Sequence, residues 1–364
     1  MSERIYNFTP GPAMLPLPVL HRIREELYDY QGLGASVMEI SHLAPEFRQL
    51  LDETMEGLRG LLGFGKEYKI VFAHGGGNMQ FSMVPMNLIA RAPARKALYA
   101  NTGHFSERAI EDARRFGQVE VVTSSEESGH DHIPAIDPAR LDQAASYLHI
   151  TTNNTIMGTR YADFPDTGAL PLVGDMTSEI LSRRIPVGRF GLIYAGLQKN
   201  LGPSGVSVAI VREDLLHHAL PETPSVLNYT RLARDRSLTN TINTFSIYVM
   251  KLMLDWVRDG GGVEAMERQN DEKAATVYAA MDRHAGFYKG HARPEARSTM
   301  NVTFRLPSEE LEQRFIAEGA AQGLYYLKGH RAVGGIRASI YNAMPLEGAQ
   351  ALAQFMDHFA AQNG

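Results

Sequence analysis

The sequence predicts an α/β protein, with a large domain built on a mostly parallel seven-stranded sheet and a smaller α+β domain toward the C-terminus. Three observations predict it. Short apolar runs recur as far as Val211, several of them are separated by helix-like stretches, and the pattern changes after about Asp259.

Taken in order, Asn7–Leu15 is rich in Pro and Gly, reads as extended, and is expected to pack on the end domain. The runs that follow are Ile70–Ala73, Ala97–Ala100, Val119–Thr123, Tyr147–Thr151, Leu170–Gly174, Gly191–Ala195 and Val206–Val211. Most lack polar/apolar alternation, as expected for strands covered on both faces. Met79–Ile89 and Phe105–Phe116 read as helices between them, and ligands are expected at the carboxyl ends of such strands. Gly260-Gly261-Gly262 then breaks a helix carrying Tyr248, Leu252 and Trp256, and Val263–Met281 is the next helix. Strand-like Asn301–Leu306, a helix from Glu309 to about Ala321, and strand-like Ile336–Tyr341 follow. A last helix places Ala349, Leu352, Phe355, Met356 and Phe359 on one face. The expected division is residues 16–260 as the large domain, with 1–15 and 261–364 forming the small one.

A chain of 364 residues, 44% of them hydrophobic, can bury the core that two domains need. Its 36 basic and 41 acidic residues leave a formal charge of −5, too balanced for a nucleic-acid binder. An anionic substrate must therefore be drawn in by locally placed arginines. There is no cysteine, which removes disulfides, thiolate metal sites and thiol nucleophiles. Residues 1–6 lack the apolar stretch of a signal peptide, and no apolar run approaches the ~18 residues needed to span a bilayer. The expectation is a soluble, cytoplasmic protein with no membrane or nucleic-acid partner and no metal.

Lys199 follows an apolar run and precedes Gly202-Pro203-Ser204-Gly205. A lysine desolvated at a strand's carboxyl end becomes a nucleophilic amine, although taken alone it also fits an ordinary surface turn. Asp175 also closes an apolar run. It fits a partner for a pyridinium nitrogen, or a simple helix cap before Met176-Thr177-Ser178-Glu179. His74-Gly75-Gly76-Gly77-Asn78-Met79-Gln80 joins a strand to a helix and suits a single phosphate monoester, or a tight turn. It is neither G-x-G-x-x-G nor a Walker loop, which argues against an NAD-dependent oxidoreductase or an ATP site.

In this order the pieces resemble the phosphoserine aminotransferases, a branch of the class V, fold-type I enzymes that use pyridoxal 5′-phosphate (PLP). The resemblance spans Asn7-Phe8-Thr9-Pro10-Gly11-Pro12, Ser36-Val37-Met38-Glu39-Ile40-Ser41-His42, Ile193–Asn200 and the segment Gly329–Ser339. It implies that Lys199 holds PLP as a Schiff base, that Asp175 pairs with the ring nitrogen, and that Phe105 stacks on the ring where relatives often carry tryptophan. It further implies Thr155 on the ring's phenolic oxygen, and Gly77, Asn78 and Gln198 on the phosphate. Asn240 and Thr241 would reach that phosphate from a neighbouring subunit, so a homodimer with shared active sites is implied. Arg337 would grip the substrate α-carboxylate, while His42, His330 and Arg331 would bind the distal anion, the last two from the partner chain. The implied reaction moves the amino group of L-glutamate to 3-phosphohydroxypyruvate, giving O-phospho-L-serine and 2-oxoglutarate in serine biosynthesis. The related phosphohydroxythreonine reaction of pyridoxine biosynthesis is also implied.

Leu43 departs from the family where a distal-anion arginine is expected, which opens the alternative of a different 2-oxo acid. Asn78 replaces an arginine that some members carry, and Ile242-Asn243 stand where two prolines are usual. A cysteine desulfurase is disfavoured because there is no cysteine to carry sulfur, and a non-catalytic relative because Lys199, Asp175 and Arg337 are all present.

Overall fold

The computed structural model describes residues 4–364. The seven central strands are β1 (Tyr68–His74), β2 (Lys96–Asn101), β3 (Gln118–Ser124), β4 (Leu148–Thr151), β5 (Leu172–Asp175), β6 (Leu192–Gly196) and β7 (Val206–Arg212). Their order across the sheet is β1-β7-β6-β5-β4-β2-β3. Adjacent strands are parallel except at β7, which runs against both β1 and β6. The reversal follows from chain length. Only Leu197–Gly205 joins β6 to β7, which is too short for the crossover a parallel neighbour needs.

Side chains on β4, β5, β6 and β7 are buried on both faces, matching their unbroken apolar runs. The edge strand β3 differs from that expectation, leaving Gln118, Glu120 and Val121 exposed. Helices α1 (Leu17–Glu26), α2 (Pro45–Leu62), α3 (Gly77–Leu88), α4 (His104–Ala113), α5 (Tyr229–Arg234), α6 (Thr244–Asp259), α7 (Gly262–Arg283), α8 (Glu309–Ala321) and α9 (Leu346–Asn363) complete the main framework. Local chemistry sets their ends. Pro45 opens α2 and Gly63, at φ 68°, closes it in the left-handed conformation. The side chains of Asn243 and Ser308 cap α6 and α8 by accepting from the N–H of Ser246 and Leu311.

One apolar core packs α1, α2 and α6 on one sheet face, and another places α3, α4 and α5 on the opposite face. A third core gathers α7, α8, α9 and the antiparallel strands β8 (Lys289–Gly290), β9 (Asn301–Arg305) and β10 (Ile336–Ser339). All five residues expected on the buried face of α9 are buried there. The extended N-terminal segment joins this third core through Phe8 and Met14, and Tyr6–Asn7 pair in parallel with Leu324–Tyr325. The same segment reaches the other unit, because the Ala13 N–H donates to the Gln198 carbonyl at 2.8 Å. Among the described residues no helix is long and apolar enough to cross a membrane.

Candidate active site

The carboxyl ends of β1, β4, β5 and β6 converge on a cavity of about 340 Å³. It is lined by, among others, Gly76, Gly77, Asn78, Phe105, Thr155, Asp175, Gln198, Lys199, His330 and Arg337. Asp175 is the last residue of β5, one residue further than the sequence suggested. Its Oδ1 accepts the Thr177 N–H at 2.9 Å, an Asx turn in which no helix follows, so it is a local anchor rather than a helix cap.

Lys199 lies in the turn after β6, 7% exposed, with its Nζ 2.5 Å from Thr155 Oγ1. The Nζ is 5.7 Å from the centre of the Phe105 ring and 5.8 Å from that of Tyr341. Burial pushes the Lys199 ammonium down to about 7, opposed by Asp175 and reinforced by Arg337. Burial raises Asp175, and Thr177, Lys199 and Tyr194 pull it back. A neutral amine is the nucleophile, so the cofactor-free protein should trap a small aldehyde faster as pH rises through about 7, with a plateau above. Borohydride-quenched adduct formation at Lys199, timed across pH 5.5–9.5, is the check; a rate still climbing only near the ordinary lysine range of ~10.4 would refute it.

The glycine segment forms the cavity floor. α3 begins at Gly77 with Gly76 at its N-cap and no side chain capping it; the Met79 N–H donates to the Gly76 carbonyl at 3.0 Å, which leaves the N–H groups of Gly77 and Asn78 as the open donors of the first turn. Gly196 lets β6 come close to this point: a Cβ there would sit 2.4 Å from Gln198 Oε1 and 2.8 Å from the Gly77 nitrogen. Gln198 Oε1 and Arg337 Nε are buried without hydrogen-bond partners, and both side chains line the cavity. The wall thus holds open donors at a helix N-terminus, an aromatic ring, a buried amine with a carboxylate, and an unpaired guanidinium. That set fits a phosphorylated aromatic aldehyde together with an amino-acid carboxylate.

Arg337, 7% exposed, leaves β10 into the cavity, and its backbone N–H donates to the Leu327 carbonyl at 2.8 Å. His330 sits in this chain's own cavity, against the His104 ring at 5.5 Å. It is placed there by the Gly329–Gly335 turn, which folds back over β10's own start, with the Gly329 N–H donating to the Gly335 carbonyl. Arg331, His42, Asn240 and Thr241 are not among the side chains lining this cavity. Arg331, Asn240 and Thr241 are exposed, His42 is half-buried, and the Thr241 carbonyl is 3.0 Å from His74 Nε2 at the end of β1. Leu43 is 52% exposed before α2.

Sequence reasoning missed Thr177 and Tyr341. The Thr177 hydroxyl accepts the Gly196 N–H at 3.2 Å, bracing β5 to β6, and its place two residues after Asp175 in a turn was the available signal. The Tyr341 hydroxyl donates to the Pro10 carbonyl at 2.9 Å, pinning the N-terminal segment over the site, and no local pattern announces that contact.

The class-V aminotransferase model matches residues 5–352. The chain is 49% identical over 357 residues to a phosphoserine aminotransferase of Geobacillus kaustophilus, covering 98% of each. It superposes on the phosphoserine aminotransferase of Bacillus circulans subsp. alkalophilus with a TM-score of 0.96 at 45% identity, covering 100% of each. Against the PLP-bound phosphoserine aminotransferase of Trichomonas vaginalis the TM-score is 0.92 at 35% identity, covering 97% of this chain and 99% of that one.

Proposed function

The chain belongs to the class-V aminotransferase family, and from that membership we propose a division of labour among the residues of its cavity. The enzyme is a PLP-dependent phosphoserine transaminase, moving the amino group of L-glutamate to 3-phosphohydroxypyruvate to form O-phospho-L-serine and 2-oxoglutarate. The observation that carries the residue roles is a buried amine, Lys199, sharing one cavity with Asp175 and with the unpaired guanidinium of Arg337.

When bound, PLP supplies an electron-accepting ring that makes the substrate α-proton removable. Lys199 would hold it covalently through Nζ and, as a free amine, would take up and return that proton. A pKa near 7 lets the same amine do both. Thr155, 2.5 Å away, orients Nζ. Asp175 would keep a proton on the ring nitrogen, Phe105 would cover the ring, and Gly77, Asn78 and Gln198 would take the phosphate. Arg337 grips the α-carboxylate in a bidentate clasp. His330 takes the distal anion from within its own chain. Gly11 and Tyr341 shut out water where the N-terminal segment crosses Lys199. The decisive experiment follows the visible cofactor band, which O-phospho-L-serine should bleach and 2-oxoglutarate plus a phosphorylated 2-oxo acid should restore. A band unmoved by phosphoserine would overturn the reading.

A second reading, a different 2-oxo acid as preferred acceptor, is favoured by Leu43. An arginine there would add a charged hydrogen bond worth roughly 1.5–3 kcal/mol. Leu43→Arg should therefore lower KM for the phosphorylated acceptor about tenfold or more, leave KM for glutamate less changed, and shift stability by under about 0.5 kcal/mol, since the site is exposed. Paired steady-state kinetics would show it, and an unchanged KM would remove position 43 from the anion site.

A homodimer is supported by Leu17 and Leu20 on α1 and by Tyr28, Leu33, Met38 and Leu43 between α1 and α2, all exposed. Asn240, Thr241, His42 and Arg331 would then serve the neighbouring subunit's cavity. Light scattering on the eluting protein tests the dimer. The cytoplasm is proposed as its compartment, supported by the want of cysteine. The domain division at residues 16–260 against 1–15 with 261–364 is supported by the third core drawing on Phe8 and Met14.

A further inference from the structure

Behind Asp175 lies a set of buried polar side chains that the reaction as derived leaves unused. Asp175 on β5 is paired in register with Tyr194 on β6, so their side chains leave the sheet on one face. The same face carries His149 of β4, whose Nε2 is 2.9 Å from the Tyr194 hydroxyl. Tyr99 stacks on the His149 ring at 4.8 Å with the planes 22° apart, and its own hydroxyl is engaged with that of Tyr147 at 2.8 Å. Phe81 from α3 meets the Tyr194 ring edge-on at 6.4 Å. His149, Tyr99, Tyr147 and Tyr194 are each no more than 1% exposed.

The direction of the protons follows from what is left over. Burial holds the His149 imidazole down to about 3, so the ring is neutral and carries a single N–H. Its Nδ1 is buried with no partner. A proton on Nδ1 would be a buried donor without an acceptor, the rarer and costlier arrangement. The proton therefore belongs on Nε2, donated to the Tyr194 oxygen. Tyr194 keeps its own proton, because burial and then the charge of Asp175 push its pKa well above the usual range. Having accepted from His149, its O–H is free to donate to Asp175. Tyr194 is one of the groups that draw the Asp175 pKa downward against its burial, after Thr177 and Lys199.

We propose that Tyr194, oriented by His149, is a positioning residue for the cofactor ring: it donates to Asp175, keeps that carboxylate an anion, and so keeps the proton on the ring nitrogen. This rests on the PLP reading above and deepens it. The register sets Tyr194 beside Asp175 on one face of the sheet, His149 is the group at its hydroxyl, and neither Tyr194 nor His149 lines the cavity.

Tyr194→Phe removes the hydroxyl and keeps the ring against Phe81. The holoenzyme is loaded with PLP carrying a 15N-labelled ring nitrogen, and its nitrogen resonance is followed with pH. The variant should lose the ring-nitrogen proton at a pH about one unit lower than wild type. Its kcat should fall roughly tenfold with KM for glutamate held within about twofold, and the borohydride-fixed adduct at Lys199 should still form. His149→Phe should shift the resonance the same way by less, since the hydroxyl remains but is no longer aimed. The double variant His149→Phe/Tyr194→Phe leaves no polar atom stranded and takes the test over if the single variant fails to fold. A nitrogen titration in either Tyr194 variant that superposes on wild type overturns the inference alone. Wild-type protein that takes up no PLP overturns the inference and the cofactor reading together.

Discussion

Lys199→Ala should abolish the borohydride-fixed adduct with PLP and lower kcat by roughly 10²–10⁴-fold, the range general acid–base catalysis supplies. The covalent hold and the proton shuttle depend on one nitrogen, so both fail together. The side chain is buried and among the described residues its Nζ hydrogen-bonds only Thr155, so its loss opens a small space beside a hydroxyl that bound ligand or water can satisfy. The far-UV spectrum should be unchanged. Peptide mapping after reduction is the check: a labelled peptide still containing position 199 in the alanine variant, or one mapping to another lysine such as the buried Lys273 in wild type, would refute the assignment.

Arg337→Leu should raise KM for glutamate by roughly 100-fold, taking about 3 kcal/mol for the loss of a bidentate charge-assisted clasp. The effect on stability should run the other way. Arg337 is 7% exposed, burial lowers its pKa, and its Nε has no partner. The cofactor-free protein therefore bears the cost of a desolvated charge whose return comes only when a carboxylate binds. Exchanging that charge for an apolar side chain should leave the Tm of the cofactor-free protein no lower than wild type. Glutamate should raise the Tm of wild type but not of the variant. A variant with weaker glutamate binding and a markedly lower Tm would mean that Arg337 serves the fold rather than the ligand.

How far the sequence could be read depended on whether the signal was local. α9's buried face and the limits of α8 come from spacing within a single helix, and both were legible. Lys199 and Asp175 were legible because an apolar run ending in a charged residue marks a strand's carboxyl end. The reversal of β7 was also present, in the shortness of the Leu197–Gly205 link, but strand periodicity carries no direction and alone gives a parallel sheet. β3 reads as covered because its valines are apolar, whereas edge position depends on the order of strands that no single strand encodes. Thr177 was half legible as a turn residue. Tyr341 on Pro10, separated by 331 residues, and His149 on Tyr194, separated by 45, are products of the assembled sheet.

The N-terminal segment finds hydrogen-bond partners more than three hundred residues further along the chain. Phe8 donates its N–H to the Tyr325 carbonyl and its own carbonyl accepts from Ser339, while Tyr341 holds Pro10. While ribosomes are still extending the chain, the seven-stranded sheet can assemble as far as Arg212 with Lys199 and Asp175 in position. Its cavity then has neither the Arg337 wall nor the segment that closes over the lysine. The cavity is therefore finished by two stretches far apart in the sequence, each of which is held in place through the other.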